Sequence, residues 1–484
     1  MNKKIIGEAY TFDDLLLVPA YSEVLPNNVS LKTNLTKNIV LNTPIVSAAM
    51  DTVTEARLAI VMAREGGIGF IHKNMTPQQQ ADEIRLVKRS EHALITDPIV
   101  LHQNATLKDA FDVMKENNIS GLPIINKKEI LVGILTNRDL KYQNDLSVLI
   151  SEVMTKKSLI TAPKGTTIQQ AKEILLKHKV EKLPLVDDDF KVVGLYTFKD
   201  IDNLIEHPNA AKDSNGRLLV GAAVGIDADV LNRVEILLKA GADIIAVDSA
   251  HGHSKGVIET VKAIKNKFPN CPIAAGNIVT QQSAVDLINA GADCLKIGIG
   301  PGSICTTRIV AGVGVPQLSA IMEIYEIAKE KGVCIIADGG IKYSGDIVKA
   351  LAAGANCVMI GSLLAGTDEA PGEEFNINGR IYKDYVGMGS MAAMKRGSSD
   401  RYFQSNNKKL VPEGVESKVP YKGKLKDNLF QLFGGIRAGM GYCGAADLAI
   451  LRETSRFVKI TQAGLKESHP HNIFYTKESP NYYE

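Results

Sequence analysis

One cysteine of this chain lies in a loop whose other residues suit phosphate or ion binding. Residues 300–308 read Gly-Pro-Gly-Ser-Ile-Cys-Thr-Thr-Arg, so glycines and hydroxyl side chains surround Cys305, and Arg308 follows it. Glycines let the backbone turn and expose its N–H and C=O groups, and a neighbouring cation lowers the pKa of a thiol. A thiolate held in this way can attack an electrophilic carbon. The loop therefore predicts that Cys305 is a nucleophile.

The alternative for any free cysteine is a buried structural role, which is its usual fate. Cys271, Cys294, Cys334 and Cys357 fit this alternative, because they lie in or beside short apolar runs. No apolar run surrounds Cys305, and this difference favours the nucleophile.

The composition of the chain argues against several classes of protein. Its 56 Lys and Arg residues balance 54 Asp and Glu residues, with no basic tract that would indicate a nucleic-acid site. No apolar run approaches the roughly 18 residues of a membrane helix, and the N-terminal residues lack a signal-peptide pattern. The six cysteines include no Cys-x-x-Cys pair, which indicates reduced thiols. We expect a cytoplasmic protein without a membrane partner.

Short apolar runs recur along the chain, and several end in a residue with chemical capacity, such as Asp248, Asn277 or Asp338. Amphipathic helical patterns lie between several of them. Eight parallel strands with intervening helices form a (β/α)₈ TIM barrel, an α/β fold whose chemistry lies at the C-terminal ends of its strands. The predicted strands cover residues 45–50, 68–71, 218–224, 243–247, 272–275, 294–297, 333–337 and 357–360.

A doubly wound sheet is the alternative fold. It is disfavoured because no Gly-x-Gly-x-x-Gly opens a helix after an early strand. Three of the helical patterns end in near-identical Ala-Gly-Ala segments, at Gly241, Gly291 and Gly354. We expect these glycines to be left-handed C-caps that release the chain into the next strand.

An internal repeat interrupts the barrel between its second and third strands. Leu122-Pro123 recurs as Leu183-Pro184, and Thr136-x-x-Asp139 recurs as Thr197-x-x-Asp200, each 61 positions later. A repeat this short usually needs its partner to bury a face. The sequence therefore predicts a barrel in two parts, residues 1–94 and 207–484, with a tandem module inserted over residues 95–206, its halves being about 95–150 and 151–206.

The nonapeptide around Cys305 resembles the active-site loop of inosine-5′-monophosphate (IMP) dehydrogenases, and the resemblance covers essentially the whole chain. Related GMP reductases share part of this signature. The internal repeat resembles a tandem pair of cystathionine-β-synthase (CBS) modules, which often bind adenine or guanine nucleotides through Thr-x-x-Asp residues. The Thr-x-x-Asp residues could equally serve as a helix N-cap without any ligand. Nucleotide contact and helix capping therefore both stay open as interpretations.

The loops after strands 7 and 8 of a barrel commonly bind a substrate phosphate. Here these loops are residues 338–340 and 361–362, whose glycine N–H groups and serine hydroxyl suit a phosphate. The carboxylate of Asp338 would repel a phosphate but suits the hydroxyls of a ribose. The two loops together therefore predict a nucleoside monophosphate as the substrate. For either loop alone, the alternative to phosphate binding is a structural turn in which the glycines lie beside a helix cap. For Glu413, the alternative to a substrate contact is a solvated acidic residue in a loop. From the residues and the resemblance, the predicted substrate-binding set is Ser303, Asp338, Gly339, Gly340, Gly361, Ser362, Tyr385, Gly387, Met388, Gly389 and Glu413.

The resemblance implies NAD as a cofactor and K⁺ as a metal ion. The implied NAD-binding residues are Asp248, Asn277, Gly298, Ile299 and Gly300. The implied K⁺ ligands are Gly300, Gly302 and Cys305, joined by Glu467, Ser468 and His469 of a neighbouring subunit. Some relatives have Glu-Gly-Gly in place of Glu-Ser-His, so we expect only carbonyl ligation to carry over. The implied assembly is a homotetramer, or an octamer formed through the CBS pair, with a purine nucleotide as regulator.

Residues 373–426 are rich in Gly, Lys, Ser and Asn, and they predict a mobile flap. The resemblance gives its Arg401-Tyr402 pair the role of general base for water, with Thr307 positioning that water. The implied activity is the oxidation of IMP to XMP, with Cys305 as the covalent nucleophile. One alternative is a GMP reductase-like enzyme, expected to lack both the Arg-Tyr pair and the insert. The other is a nucleotide sensor whose barrel is inactive.

Overall fold

The structure of the chain is a computed structural model that describes residues 4–91, 95, 98–117, 119–141, 143–404, 407–473 and 479–482. These residues form two compact units. The larger unit comprises residues 1–90, 209–213 and 218–484, and the smaller one comprises residues 91–208 and 214–217. The boundary predicted between residues 94 and 95 adjoins residues 92–94, which lie outside the described residues.

The larger unit is built on a closed barrel of eight parallel strands, which confirms the predicted fold. Every predicted strand is present, and consecutive strands pair in chain order until the eighth pairs with the first. The strands are β1 (Ile45–Ser47), β2 (Ile68–Ile71), β3 (Val220–Val224), β4 (Ile244–Asp248), β5 (Ile273–Ile278), β6 (Cys294–Ile297), β7 (Cys334–Asp338) and β8 (Cys357–Ile360).

The barrel strands are continuous apolar runs because both of their faces are buried. Alternate residues belong to different clusters: Phe70, Ala223 and Ile336 fill the barrel interior, whereas Ile71 and Val224 pack against the surrounding helices. The helices that follow the strands are Ala56–Arg64, Pro77–Ser90, Val230–Ala240, Lys255–Lys267, Gln281–Ala290, Thr307–Val310, Gln317–Lys331, Ser344–Ala352 and Ser362–Ala365.

The predicted glycine caps are present at two of the three helix ends. Gly241 and Gly291 both end their helices in the left-handed conformation, each with φ of 103°. The third helix ends one residue earlier, with Ala353 as its C-cap, and Gly354 follows with φ of 127°. A side chain at Gly354 would also collide with the ring of Tyr325, so glycine is needed there for space as well as for conformation.

The segment predicted as a mobile flap contains more regular structure than its composition indicates. A three-stranded antiparallel sheet, which we call the flap sheet, is formed by Glu374–Ile377, Arg380–Val386 and Glu416–Pro420. Between the second and third strands lie the helix Met391–Arg396 and the 3₁₀ helix Ser398–Tyr402. The strands escaped prediction because exposed residues predominate in two of them, so no apolar run marks their positions.

The smaller unit repeats its elements at the same spacing of 61 residues. Each half has a short strand, a helix, an antiparallel strand pair and a second helix, and each has its own apolar core. The elements of the first half are Leu101–His102, Leu107–Asn117, Gly121–Ile125, Leu131–Thr136, Asn137–Leu140 and Ile150–Val153. Those of the second half are Ala162–Pro163, Ile168–His178, Lys182–Val186, Val192–Thr197 and Phe198–Glu206.

The remaining elements of the larger unit lie before the barrel and after the flap sheet. Leu15–Leu17 pairs with Phe457–Lys459, and Thr33–Asn34 pairs with Val40–Leu41, both antiparallel. The others are the 3₁₀ helix Pro26–Asn28 and the helices Leu425–Tyr442, Leu448–Thr454 and Gln462–Ser468. In the described part of the chain, no helix combines the length and the apolar character needed to cross a bilayer.

The tight packing inside the barrel predicts that Gly221→Ala destabilises the protein. A Cβ at Gly221 in β3 would stand 2.5 Å from the Phe70 ring in β2, and such overpacking costs about 1–3 kcal/mol. Urea unfolding followed by circular dichroism measures this loss. Gly345→Ala is the control, because a Cβ at this helical glycine meets no atom within 4 Å. A Gly221→Ala protein as stable as the control would contradict the packing.

Candidate active site

A buried lysine joins the polar side chains at the C-terminal ends of the barrel strands. The Nζ atom of Lys296, in β6, lies 2.7 Å from Asp248 Oδ1 and 2.6 Å from Asp338 Oδ2. It also contacts Asn277, whose amide donates to Asp338 Oδ2 at 2.9 Å and to the Gly298 carbonyl at 2.7 Å. Buried charges are tolerated when they are paired in this way. Lys296 therefore holds three of the predicted site residues in fixed positions.

Sequence reasoning missed Lys296. It was included in the apolar run 294–297, although a lysine within a buried strand is itself unusual. Its side chain is 3% exposed. A charge at a position where both strand faces are buried was the signal that could have identified it.

Arg401 of the flap segment adds a second cation to this cluster. Its guanidinium forms an ion pair with Asp248, and its backbone carbonyl accepts a hydrogen bond of 3.0 Å from the Ala250 N–H. Burial lowers the pKa of Arg401, and the neighbouring Tyr402 hydroxyl partly offsets this effect. Tyr402 hydrogen-bonds to Arg401, and burial raises the pKa of its hydroxyl. The structure thus brings the predicted Arg-Tyr pair to the predicted cofactor carboxylate.

The loop that carries Cys305 is hydrogen-bonded to the flap segment. The Thr306 N–H donates to the Glu413 carbonyl at 2.9 Å, and the Val415 N–H donates to the Ile304 carbonyl at 3.0 Å. The Cys305 Sγ lies 3.2 Å from the Thr307 hydroxyl and 3.8 Å from the Glu413 carbonyl oxygen. The structure therefore places the predicted nucleophile beside Thr307 and the flap.

Cys305 is partly exposed, whereas the other five cysteines are buried. Burial raises the pKa of Cys271 and of Cys334 to about 11, and it also raises the pKa of Cys294, Cys357 and Cys443. Arg308 donates to the carbonyls of Ile299 at 3.1 Å and Val315 at 2.6 Å. It therefore fixes the backbone on both sides of the cysteine loop.

The predicted phosphate-binding groups line one cavity of about 1200 Å³. The Tyr385 hydroxyl hydrogen-bonds to Ser303 and Ser362, and burial raises the pKa of Tyr385, so this donor stays neutral. At Gly339 φ is +92°, and a Cβ there would stand 3.0 Å from the Pro301 ring. The cavity-lining residues from the predicted set are Ser303, Gly339, Gly340, Gly361, Ser362 and Tyr385.

Gly387, Met388 and Gly389 connect the flap sheet to the Arg-Tyr pair. The Gly387 N–H donates to Val415, and the Met388 carbonyl accepts a hydrogen bond of 2.5 Å from the Ser398 hydroxyl. A Cβ at Gly389 would stand 2.7 Å from the Tyr402 ring. The glycine therefore makes room for the tyrosine.

The residues implied as K⁺ ligands do not meet within the described part of one chain. Glu467 and Ser468 end a helix, and His469 Nδ1 lies 2.9 Å from the Tyr482 hydroxyl. No contact among the described residues joins them to Gly300, Gly302 or Cys305. Among those residues there is also no group of three His, Cys, Asp or Glu side chains arranged for a metal ion.

Comparison with known proteins shows the family of the chain. Residues 9–471 match the family described as "IMP dehydrogenase / GMP reductase domain". Inosine-5′-monophosphate dehydrogenase of Halalkalibacterium halodurans is 60% identical over 481 residues, which are 99% of each chain. The enzymes of that name from Bacillus subtilis and Aquifex aeolicus are each 57% identical, again over 99% of each chain.

A solved structure corrects one expectation about the inserted repeat. It is a cysteine-to-alanine variant of GMP reductase from Trypanosoma brucei in complex with guanosine 5′-monophosphate, 40% identical, with a TM-score of 0.89. The match covers 98% of this chain and all of that chain, so it includes the insert. The insert therefore does not distinguish the two activities, contrary to the expectation. By the match of its residues 9–471 and its identity with curated relatives over nearly its full length, the chain belongs to the IMP dehydrogenase/GMP reductase family.

Proposed function

We propose that this protein is an NAD-dependent IMP dehydrogenase, which converts IMP, NAD⁺ and water into XMP and NADH. The observation that carries the proposal is the arrangement of Cys305, partly exposed and 3.2 Å from the Thr307 hydroxyl, on a loop bonded to the flap that bears Arg401 and Tyr402. The names and identities of the curated relatives support the same activity.

In the proposed first step, the Cys305 thiolate adds to C2 of the hypoxanthine ring, and the bond from C2 to hydrogen breaks. NAD⁺, when bound, supplies the hydride acceptor for this oxidation. A covalent thioimidate between Cys305 and C2 remains. In the second step, water adds to C2 while a base removes its proton, the C–S bond breaks, and XMP leaves. Thr307 is positioned beside the sulfur to hold this water.

We assign the substrate to this cavity, which neutral donors line, and to the carboxylate of Asp338, which directly precedes the lining residue Gly339. We assign the phosphate to the N–H groups of Gly340 and Gly361 and to the hydroxyls around Tyr385, which carry no negative charge. Asp338 uses Oδ2 for both Lys296 and Asn277, and we assign Oδ1 to the ribose hydroxyls. Gly387, Met388 and Glu413 complete the proposed contacts with phosphate and purine.

The residues assigned to the cofactor suit a nicotinamide ribose, provided that Arg401 is not paired with Asp248. The Asp248 carboxylate suits ribose hydroxyls, but Arg401 is paired with it in this structure. The ribose and Arg401 would thus compete for one carboxylate, so a bound cofactor and the Arg401–Asp248 pair would exclude each other. Asn277 and the backbone of Gly298, Ile299 and Gly300 complete the proposed cofactor site.

Arg401 is the proposed base for the hydrolytic step. An exposed arginine is a poor base because its pKa exceeds about 12. Burial lowers the pKa of Arg401, and it lies next to Tyr402, whose hydroxyl is also buried. The same burial excludes bulk water from the adduct.

Four further assignments complete the proposal. K⁺ is bound by the carbonyls of Gly300, Gly302 and Cys305 and by residues 467–469 of a neighbouring subunit, within a homotetramer or an octamer. The insert is a CBS pair that binds a purine nucleotide, although Thr136 and Asp139 form a helix capping box here. The side chain of Asp200 lies outside the described residues. A reducing, cytoplasmic location agrees with six free cysteines.

GMP reductase activity is the second candidate, because a GMP reductase matches the whole chain at 40% identity. The Arg401-Tyr402 pair favours the dehydrogenase, since a water-activating base serves hydrolysis of an adduct. Incubating the protein with GMP and a reduced nicotinamide cofactor tests this candidate directly.

The activity predicts that the protein with IMP, NAD⁺ and K⁺ produces NADH and XMP, seen as absorbance at 340 nm and by mass spectrometry. Cys305→Ala should still bind IMP but produce no NADH and no covalent adduct in the intact mass, because the nucleophile is missing. Cys271→Ala is the control, since this buried cysteine is remote from the cysteine loop, and it should remain active. Turnover by Cys305→Ala would exclude the covalent mechanism.

The Arg401→Ala variant should separate hydride transfer from hydrolysis of the adduct. The first burst of NADH should be normal, and the enzyme should then accumulate as the covalent adduct, with steady-state turnover about 10²–10⁴-fold lower. Raising the pH should partly restore turnover, because hydroxide replaces the missing base. Rapid quench measures the burst, and Lys418→Ala on the exposed flap sheet is the control. If the NADH burst were slowed as much as steady-state turnover, Arg401 would not be the base of the hydrolytic step.

The separate cores of the smaller unit predict that it regulates the enzyme without taking part in catalysis. Replacing residues 97–206 with a short linker should leave kcat within a few-fold, because a self-contained unit can be excised at its boundaries. Any effect of purine nucleotides on the rate should disappear. A folded but inactive deletion variant would place the insert in the active site.

A further inference from the structure

A second buried ion pair connects the flap to the barrel, at the residue next to Arg401. The Lys73 Nζ, just beyond β2, pairs with the Asp400 carboxylate, and the two side chains are 6% and 15% exposed. The same carboxylate oxygen accepts a hydrogen bond of 2.8 Å from the Arg401 N–H. One carboxylate thus binds a barrel lysine on one side and the backbone of Arg401 on the other.

The barrel provides a shaped recess for this carboxylate, formed by Lys73, Gly225 and Arg233. A Cβ at Gly225, directly after β3, would collide with the carboxylate of Asp400 and approach Lys73 Nζ to 3.1 Å. Arg233 holds the Lys73 loop by donating to the Met75 carbonyl at 3.2 Å and to the Gln80 side chain at 2.8 Å. Its positive charge also acts on Asp400. The recess is therefore built from barrel residues alone and matches an acidic side chain.

We propose that Lys73 and Asp400 form the positioning pair that locks the flap onto the barrel and thereby aligns Arg401 for the hydrolytic step. The inference rests on the proposed function, because it assigns Arg401 to hydrolysis. Neither Lys73 nor Asp400 contacts the sulfur or the reacting carbon in this proposal. They act through the backbone of Arg401, which cannot reach Asp248 unless Asp400 enters the recess.

The pair should affect cofactor binding and hydrolysis in opposite directions. The flap contacts Asp248, the carboxylate assigned to the cofactor ribose, so a firmly held flap competes with NAD⁺. Weakening the lock should favour cofactor binding and leave hydride transfer intact, while the hydrolytic arrangement becomes less populated. If Lys73 only stabilised the barrel, its replacement would lower the rates of both steps together or of neither.

The test compares Lys73→Met, Asp400→Asn and the double variant, and Asp400→Asn preserves the side-chain shape if Lys73→Met folds poorly. In each single variant, kcat should fall about 10-fold or more, because removing one partner of a buried pair leaves the other charge uncompensated. The NADH burst should stay within about 3-fold of the original rate. Covalent adduct should accumulate, and the KM for NAD⁺ should fall with kcat. The double variant should be little worse than either single one.

Lys88→Met is the matched control, since Lys88 pairs with Asp243 at 2.6 Å with similar burial, 4% and 14% exposed, away from the flap. It should lower the melting temperature without changing the ratio of burst to steady-state rate. The proposal is overturned if Lys73→Met leaves kcat within about 2-fold of the value for the unmodified protein, or if it slows the burst and the steady state equally. It is also overturned if the losses in kcat caused by Lys73→Met and Asp400→Asn are fully additive in the double variant. Failure of the proposed function is a different result: the unmodified protein would form no NADH from IMP.

Discussion

Two carboxylates, the buried Asp248 and the partly buried Asp338, lie at the C-terminal end of the barrel, and without a cation between them they would repel each other. Lys296 on β6 lies within 2.7 Å of both, and Arg401 adds a second positive charge beside Asp248. The Lys296 contacts hold both carboxylates in place before any ligand arrives, and the other oxygen of Asp248 is paired with Arg401. Preorganisation of this kind is a main source of rate enhancement in enzymes. The position of the flap depends on this balance of charges through the Arg401–Asp248 pair, and so do the proposed substrate and cofactor sites.

The eight strands and the repeat could be predicted because their signals are local: apolar runs, glycine caps and a fixed spacing. The rule for barrels pointed to the candidate site residues at the strand ends, and the resemblance supplied the role that is proposed for Arg401. What could not be predicted were contacts between distant residues. Lys73 and Asp400 are 327 positions apart, and each reads in the sequence as an ordinary surface charge. The flap sheet was missed for a related reason, since its two outer strands are largely exposed and are held by pairing with the middle strand.

The match with a GMP reductase over the whole chain shows that the architecture, including the insert, does not determine the reaction. A fold positions side chains, and the activity depends on a few of them. Under the proposed function, the decisive difference is whether Arg401 can act as a base at the Cys305 adduct. That question concerns a short segment around Arg401 and the contacts that hold it.

Gln404 and Val411 close a small loop within the flap by exchanging two hydrogen bonds, of 2.9 Å and 2.8 Å. Both sides of this small loop are therefore tied: one by Gln404, next to the Arg-Tyr pair, and the other by the bonds from Glu413 and Val415 to the cysteine loop. A change of one residue in either tied segment would turn alternate side chains to the wrong face. Relatives should thus gain or lose residues between the two tied segments, at positions 407–410, and this stretch is where a tag or label can be inserted with least harm to the tied segments.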